Sequence, residues 1–221
     1  MSEELMLVPQ TPSLPEKNRV WISGKLETDF EFSYQTFLEK FYVATVAIES
    51  ALGKIEHVVL HVSEQLLSFY PFNNYKDRYV EVGGELRRYK LECSNNNHYR
   101  QCILFASTFA AYSNEDELEE ANANFIFLEG AVITTPMLKT SRIGKYYTEF
   151  CLEVPRNNGK CDHVYCHVYS RTSLYATTFN YGTKIQVHGN LTTREYTKTF
   201  SDSSSVTFYD CKVAVHTLRK L

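Results

Sequence analysis

The sequence has little of what marks most other protein classes. Its 221 residues include one Trp, 6 Pro and 9 Gly, and no apolar run approaches the roughly 20 residues that a membrane helix needs. Near the start, Glu3, Glu4 and several prolines stand where a secretory signal would be basic and then apolar. With 43% hydrophobic and 22% charged residues, the composition is that of a globular chain and not of a disordered or collagen-like one. We expect a cytoplasmic protein in which residues 1–17 form a flexible leader.

Motifs for catalysis are also missing. The sequence contains no G-x-S-x-G, no phosphate-binding loop and no H-E-x-x-H, so we expect no enzyme and no cofactor. Without a secretory signal, the six cysteines are expected to be reduced thiols. Cys161, His163, Cys166 and His167 crowd together, but on a strand Cys166 points away from both histidines, so no metal site is expected.

Two halves of the chain repeat each other. Residues 18–26 (NRVWISGKL) align with 124–132 (NFIFLEGAV), and at the same offset 53–58 (GKIEHV) align with 159–164 (GKCDHV). With a slip of one position, 80–86 (VEVGGEL) align with 185–191 (IQVHGNL). Between the copies lies a polar, acidic run that we expect not to pack. The repeat predicts two domains, residues 18–112 and 122–221, joined by the acidic linker 113–121.

Each copy has the alternation of half-buried strands. The predicted elements of the first copy are strands 20–26, 41–49 and 55–62, a short helix at 63–70, and strands 79–86 and 102–109, and the last strand of the second copy is expected near 206–215. Five strands with a helix between the third and fourth are typical of the OB-fold, a five-stranded Greek-key barrel. We predict an all-β protein of two tandem OB-fold domains, and rank sandwich folds second because they usually need more strands.

Alternation also assigns side chains to faces. In strand 161–169, the residues Val164, Cys166 and Val168 point one way, and His163, Tyr165, His167 and Tyr169 point the other way. By the same logic, the first strand of the first copy has the side chains of Arg19, Trp21 and Lys25 pointing outward. In the first strand of the second copy, Phe127, the counterpart of Trp21, is expected to point outward as well. Large rings beside cations on an open sheet face favour binding of single-stranded nucleic acid. For any single ring, packing beneath a loop or in a dimer contact is the competing interpretation.

Charge separates the two copies. Residues 1–112 carry a net charge of −3, the linker −5 and residues 122–221 +5. The fourth strand of the second copy turns Lys184, Gln186, His188 and Asn190 outward, whereas the first copy has Tyr79, Glu81, Gly83 and Glu85 there. Because acids on a sheet face repel phosphates, we predict that the second domain carries most of the nucleic-acid affinity.

Three segments of the second copy carry a resemblance to a known family. They are N-F-I-F-L-E-G at 124–130, D-H-V-Y-C-H-V-Y-S-R at 162–171 and V-H-G-N-L-T-T-R-E-Y at 187–196. Together they resemble the bacterial single-stranded DNA-binding protein family, and within it the tandem OB-fold proteins of Firmicutes. The first copy is similar at 18–24 and 80–89 and weaker between these segments, where Ser63-Glu64-Gln65 lacks an aromatic ring and a cation.

The resemblance implies roles for individual residues. It makes Tyr169 and Tyr196 base-stacking candidates, places His163 at a further stacking position and Arg171 and Arg194 at basic positions, and makes Tyr89 the matching candidate in the first copy. The third-strand motif departs from the family pattern, because Tyr169-Ser170-Arg171 lacks the usual glycine. The full set of candidate nucleic-acid-binding residues is Arg19, Trp21, Lys25, Tyr89, Phe127, His163, Tyr165, His167, Tyr169, Arg171, Lys184, Arg194 and Tyr196.

The resulting hypothesis is a protein that coats single-stranded DNA without strong sequence preference, in replication, recombination or repair. The family resemblance further implies a nucleoid location, a homodimer that gives four OB modules, and replication or repair proteins as possible partners. Two alternatives stay open from the sequence. One is a protein-interaction or assembly factor, such as a primosome or mobile-element accessory protein, and the other is a binder of single-stranded RNA.

Overall fold

The computed structural model describes residues 17–51, 53–92, 98–199 and 205–221, so the expected leader up to residue 16 and Cys93 lie outside it. The elements of the first half are β1 (Asn18–Leu26), β2 (Glu31–Gln35), β3 (Lys40–Glu49), β4 (Ile55–Ser63), α1 (Glu64–Ser68), β5 (Tyr79–Glu92) and β6 (His98–Tyr112). A 3-10 helix at Glu115–Glu117 follows. The elements of the second half are β7 (Asn124–Val132), β8 (Met137–Thr140), β9 (Tyr146–Pro155), β10 (Cys161–Tyr169), α2 (Arg171–Ala176), β11 (Lys184–Thr199) and β12 (Ser205–Lys220).

Each half closes into a barrel of five strands. In the first module β1 pairs with both β3 and β5, β4 pairs with β3 and β6, and β5 pairs with β6. In the second module β7, β9, β10, β11 and β12 repeat these pairings. A short helix lies between the third and fourth barrel strands in both modules. The prediction of two tandem OB-folds is confirmed, and its strands and helix lie where the alternation placed them.

The sequence did not reveal β2 and β8. These strands form hairpins with β3 and β9 and end the sheet at its two edges. Their side chains are mostly exposed on both faces. Alternation marks a strand only when one face is buried, so edge strands of this kind leave no pattern to recognise.

The glycines shared by the two copies mark close crossings of strands in the barrels. A Cβ on Gly24 would lie 2.2 Å from the carbonyl oxygen of Ala47, and one on Gly130 would lie 2.4 Å from that of Glu153. Any side chain at either position would collide with the backbone of the neighbouring strand. The repeat conserves these glycines for packing and not for ligand binding.

The two barrels share one continuous sheet. Strand β1 pairs antiparallel with β7, and Val20 lies opposite its own repeat counterpart, Ile126. The acidic segment 113–121, expected to stay unpacked, instead lies against the first module. Its backbone carries the contact, since the Glu119 N–H donates to the Glu81 carboxylate at 2.5 Å and the Ser23 hydroxyl donates to the Glu120 carbonyl. Contacts made by the backbone of a segment cannot be predicted from the polarity of its side chains.

A reciprocal pair of buried carboxylates joins the modules behind this shared sheet. The Glu56 carboxylate of β4 accepts the Thr193 N–H of β11 at 2.5 Å, and the Asp162 carboxylate of β10 accepts the Arg88 N–H of β5 at 2.9 Å. Lys54 pairs with Glu56, and Arg156 pairs with Asp162. Since Glu56 and Asp162 are repeat counterparts, the contact has two-fold pseudo-symmetry, as in a symmetric dimer. We call these two contacts the carboxylate clamps.

Candidate nucleic-acid interface

A groove of about 800 Å³ opens on the second module. Its floor is the outward face of β9 and β10, with walls from β11 and β12, and the residues central to its chemistry are Tyr147, Glu149, His167, Tyr169, Arg194 and Lys212. In the middle of β10, Val164, Cys166 and Val168 are buried in the barrel, whereas His167 and Tyr169 face the groove. The face assignment made from alternation is confirmed for this strand.

Two tyrosines lie side by side on the groove floor. Tyr147 and Tyr169 are paired across β9 and β10, with ring centroids 5.5 Å apart, and the Tyr169 side chain is 44% exposed. His167 packs edge-on against Tyr169 at 5.3 Å. Burial, helped by the nearby Lys212, lowers the pKa of His167, so this ring is neutral at physiological pH. The floor therefore presents aromatic surface on which a planar group can stack.

The cations around the groove fall into two groups. Arg142 and Arg194 line it and, among the described residues, neither makes an ion pair or a side-chain hydrogen bond. Lys139 and Lys212 instead both bind Glu149, with the Lys212 Nζ 3.0 Å from its carboxylate. Burial acts to raise the pKa of Glu149, but the hydrogen bonds from the two lysines outweigh it and hold that pKa below its usual value. The groove lining thus includes two arginines with no partner among the described residues, and two lysines, Lys54 and Lys212, that are each paired with a carboxylate.

The first module supplies part of the groove wall. Ser50, Ala51 and Lys54, from the turn between β3 and β4, line the second-module groove. The clamp at Glu56 holds this turn in place, since the Lys54 Nζ donates to the Glu56 carboxylate at 2.7 Å and to the Thr193 carbonyl at 2.8 Å. The groove is therefore formed by both modules and depends on their junction.

The matching face of the first module is packed with its own rings. Tyr34 stacks on Phe41 at 4.9 Å and on Tyr89 at 5.9 Å, with interplanar angles of 17° and 19°. His61 lies 4.7 Å from Tyr89 and is 2% exposed, and this burial lowers its pKa to about 4. The guanidinium of Arg87 covers the Phe105 ring at 3.7 Å. We call these rings, Tyr34, Phe41, His61, Tyr89 and Phe105, the aromatic cluster.

Several predicted candidates lie at or near the groove. His167, Tyr169 and Arg194 line it. Arg171 is exposed at the start of α2, directly beyond Tyr169. Tyr196 lies further along β11 than Arg194, with its ring stacked on Phe208 at 5.4 Å. His163 and Tyr165 also lie on the outward face of β10. The guanidinium of Arg88, from the first module, lies 5.0 Å from the Tyr165 ring, and Glu153 of the neighbouring strand β9 lies 3.5 Å from His163.

Other candidates lie away from the groove. Tyr89 is part of the aromatic cluster of the first module. Trp21 and Arg19 lie on the outward face of the shared sheet at the β1–β7 seam. Lys25 forms an exposed ion pair with Asp77 at 3.0 Å. Lys184 lines a separate cavity of about 190 Å³ that shares no lining residue with the groove. The structure therefore divides the candidates among several separate surfaces.

The expectation that the Phe127 ring is free on the sheet face is wrong. Its side chain is 4% exposed, with the Arg19 guanidinium 4.5 Å above it and the His188 ring at 4.9 Å. The β1–β7 pairing sets Arg19 directly opposite Phe127. This ring offers no open face to a base, because Arg19 of the first module and His188 cover it.

Sequence reasoning missed Tyr147, Arg142, Glu149 and Lys212. Tyr147 had a usable signal, because strand register brings it beside Tyr169, but it stands next to another tyrosine and alternation alone does not choose between them. Arg142 lines the groove from the loop between β8 and β9, Glu149 from β9 and Lys212 from β12. Their convergence depends on barrel closure, which no local pattern encodes.

The thiols and acids do not form a metal centre within the described chain. No group of three or more His, Cys, Asp or Glu side chains there is arranged to hold an ion. Cys102, Cys151, Cys166 and Cys211 are buried free thiols, and burial raises the pKa of each. Cys161 is a free thiol at the surface. Neither described helix, of five and six residues, is long and apolar enough to cross a membrane.

Comparison with known proteins agrees with this geometry. Residues 123–218, the second barrel, match the single-strand binding protein family. No curated protein sequence matches the chain at a significant level. Among solved structures, wild-type single-stranded DNA binding protein from Thermus aquaticus is similar, with a TM-score of 0.72, 13% identity and coverage of 92% of each chain. A deletion mutant of that protein has a TM-score of 0.70 at 14% identity, covering 92% of this chain and 94% of the other.

The structural likeness extends over both barrels and shows a shared tandem OB-fold. The family match is confined to the second barrel, which carries the groove described above. Over residues 123–218, the second module is thus similar in sequence to the single-strand binding protein family.

Proposed function

We propose that this protein binds single-stranded DNA without strong sequence preference, chiefly through the groove of its second module. The observation that carries the proposal is the pair Tyr147 and Tyr169 on the groove floor, beside Arg142 and Arg194, which have no ion-pair partner among the described residues. Bases stack on aromatic rings and cations bind the phosphates between them. Every base has a flat face, so stacking does not require a particular sequence.

The charge distribution supports the same assignment. The second module carries a net charge of +5 and the first module with its leader −3. Binding to phosphates releases counterions, so affinity should fall as salt concentration rises. The proposed role is to coat and protect exposed strands during replication, recombination or repair, as a non-catalytic protein associated with the nucleoid.

A homodimer with four OB modules is part of this proposal. The outward face of the shared sheet carries Trp21 and, directly opposite it on β7, Phe125, which is 44% exposed. Apolar rings on a flat sheet face favour burial against a second copy of the same face, and a two-fold contact of this kind is the commonest symmetry of homo-oligomers.

Fluorescence anisotropy of a labelled oligo-dT strand tests the function at low and moderate salt. We expect the full chain to bind tightly at low salt and the double variant Tyr147→Ala/Tyr169→Ala to bind at least roughly tenfold more weakly, since each stacked base contributes about 1–3 kcal/mol. The matched control is Tyr146→Ala/Tyr181→Ala, which also removes two exposed tyrosines, neither of which lines the groove.

Three results would contradict parts of the proposal. Equal losses in the two double variants would mean that the groove is not the binding surface. Absence of binding at any salt would favour a protein-interaction role. Stronger competition by oligo-U than by unlabelled oligo-dT would identify RNA as the preferred ligand.

A further inference from the structure

The aromatic cluster of the first module contains a ring that its counterpart lacks. Tyr34 comes from the edge strand β2 and lies nearly parallel to both Phe41 and Tyr89. Its side chain is half-buried, and this burial raises the pKa of its hydroxyl. Near-parallel rings about 5 Å apart are in offset stacking contact. This is the arrangement that a nucleobase adopts on an aromatic side chain.

The second module shows what the same surface looks like without that ring. Phe41 and His61 correspond to Tyr147 and His167, and the residue opposite Phe41 in the β2–β3 hairpin is Tyr34. The residue opposite Tyr147 in the β8–β9 hairpin is Lys139, whose ammonium turns to Glu149. A register irregularity between Phe32 and Tyr34 sets the tyrosine over Phe41 in the first module. The two surfaces also differ beneath this ring, since Tyr89 and Phe105 correspond in register to Arg194 and Ala214. In the first module, Tyr34 is the ring that covers Phe41 and Tyr89.

We propose that the first module carries a second nucleobase-binding site, formed by Phe41 and Tyr89, and that Tyr34 occupies this site in the free protein. The proposal rests on the proposed function, because it assigns single-stranded DNA as the ligand of both modules. A base would replace the Tyr34 ring on the same two faces. Only molecules in which Tyr34 is displaced can bind a base at this site. The apparent affinity of the first module for DNA is therefore the intrinsic affinity multiplied by the small fraction of such molecules.

The attachment of β2 makes displacement possible. The strand is five residues long and has mostly exposed side chains, and β3 is its one neighbour among the strands that the structure describes. The turn that follows it exposes Phe37 to 98%. A short edge segment with few buried contacts opens at lower free energy than the barrel strands do. Tyr34 can therefore leave the cluster while the barrel stays folded.

The test uses the full chain with the second-module groove disabled by Tyr147→Ala/Tyr169→Ala. In this background, adding Tyr34→Ala should tighten oligo-dT binding by roughly fivefold or more, the least that one added base stack provides. Tyr34→Phe is the matched control, because it keeps the ring and should leave the affinity unchanged. Adding Tyr89→Ala to the Tyr34→Ala chain should remove the gain, since the base then loses its stacking partner.

Two results would overturn the inference: no gain from Tyr34→Ala, or a gain that survives the loss of Tyr89. If Tyr34→Ala does not fold by circular dichroism, Tyr34→Thr replaces it, because threonine suits a strand. In the unaltered chain, saturating long oligo-dT should speed amide hydrogen exchange in β2, and unchanged exchange would also count against the proposal. Failure of the unaltered chain to bind oligo-dT at all would instead overturn the proposed function.

Discussion

Glu149 controls how much positive charge the groove can offer. Its carboxylate lies between Lys139 and Lys212 and pairs with both. Attraction between opposite charges at this distance holds the two lysine side chains in fixed positions, and it also neutralises part of their positive charge. Arg142 and Arg194 are the cations left for the phosphate backbone.

Removal of that carboxylate charge should strengthen DNA binding. In Glu149→Gln, the two lysines become available to phosphates, so affinity for oligo-dT at low salt should rise severalfold. The slope of log affinity against log salt should steepen by roughly 0.7 for each phosphate gained. Anisotropy titrations at four or more salt concentrations measure both quantities.

Glu129→Gln is the charge-matched control. Glu129 lies on β7, pairs with Lys17 and lines the small cavity that shares no residue with the groove. The substitution Glu129→Gln changes the net charge by the same amount as Glu149→Gln but frees no lysine at the groove. Equal effects of the two substitutions would show that total charge and not the Glu149 contact sets affinity, and weaker binding by Glu149→Gln would show that the carboxylate is needed to position the lysines.

Among the elements, β4, β5, β10 and β11 join the modules through the carboxylate clamps. Each clamp satisfies a backbone N–H from one module with a buried carboxylate from the other. Unpaired buried donors and charges are costly, so each clamp resists separation of the barrels. The clamp at Glu56 also fixes the turn that lines the groove, which links module docking to ligand binding.

Loss of a clamp should therefore lower stability markedly. Asp162→Ala leaves the Arg88 N–H and the Arg156 guanidinium without their carboxylate, and we expect the free energy of unfolding to fall by about 2–4 kcal/mol. Urea denaturation followed by circular dichroism measures this change. Asp116→Ala, in the exposed 3-10 helix, is the control and should stay within about 0.5 kcal/mol of the parent protein. Similar values for the two variants would contradict the assigned role of the clamp.

At the scale of the whole molecule, the shared sheet joins the modules and carries the face that we propose as the dimer contact. The pairing of β1 with β7 continues one sheet through both barrels. The Trp21 and Phe125 rings stand on its outward side, away from the groove. The proposed dimer contact and the proposed DNA-binding groove thus lie on different surfaces, so a substitution in one should leave the other intact.

Substitution on this face should separate the proposed dimer. The chain weighs 25.6 kDa, and sedimentation equilibrium should give twice this mass for the parent protein and the single-chain mass for Phe125→Glu, because a buried unpaired carboxylate opposes association. Phe37→Glu places the same charge on a highly exposed turn and should remain dimeric. A monomeric parent protein, or a dimeric Phe125→Glu, would refute this interface.

The sequence by itself determined the repeat, the barrel strands and the inward and outward faces of β10. These follow from local alternation, because each strand buries one face and a period of two records it. Only the tertiary structure decided that Phe127 is covered, that the first module lines the second groove, and that Tyr34 fills the aromatic cluster. Each of these depends on which strands lie side by side and in what register, and contacts between distant segments leave no local pattern in the chain.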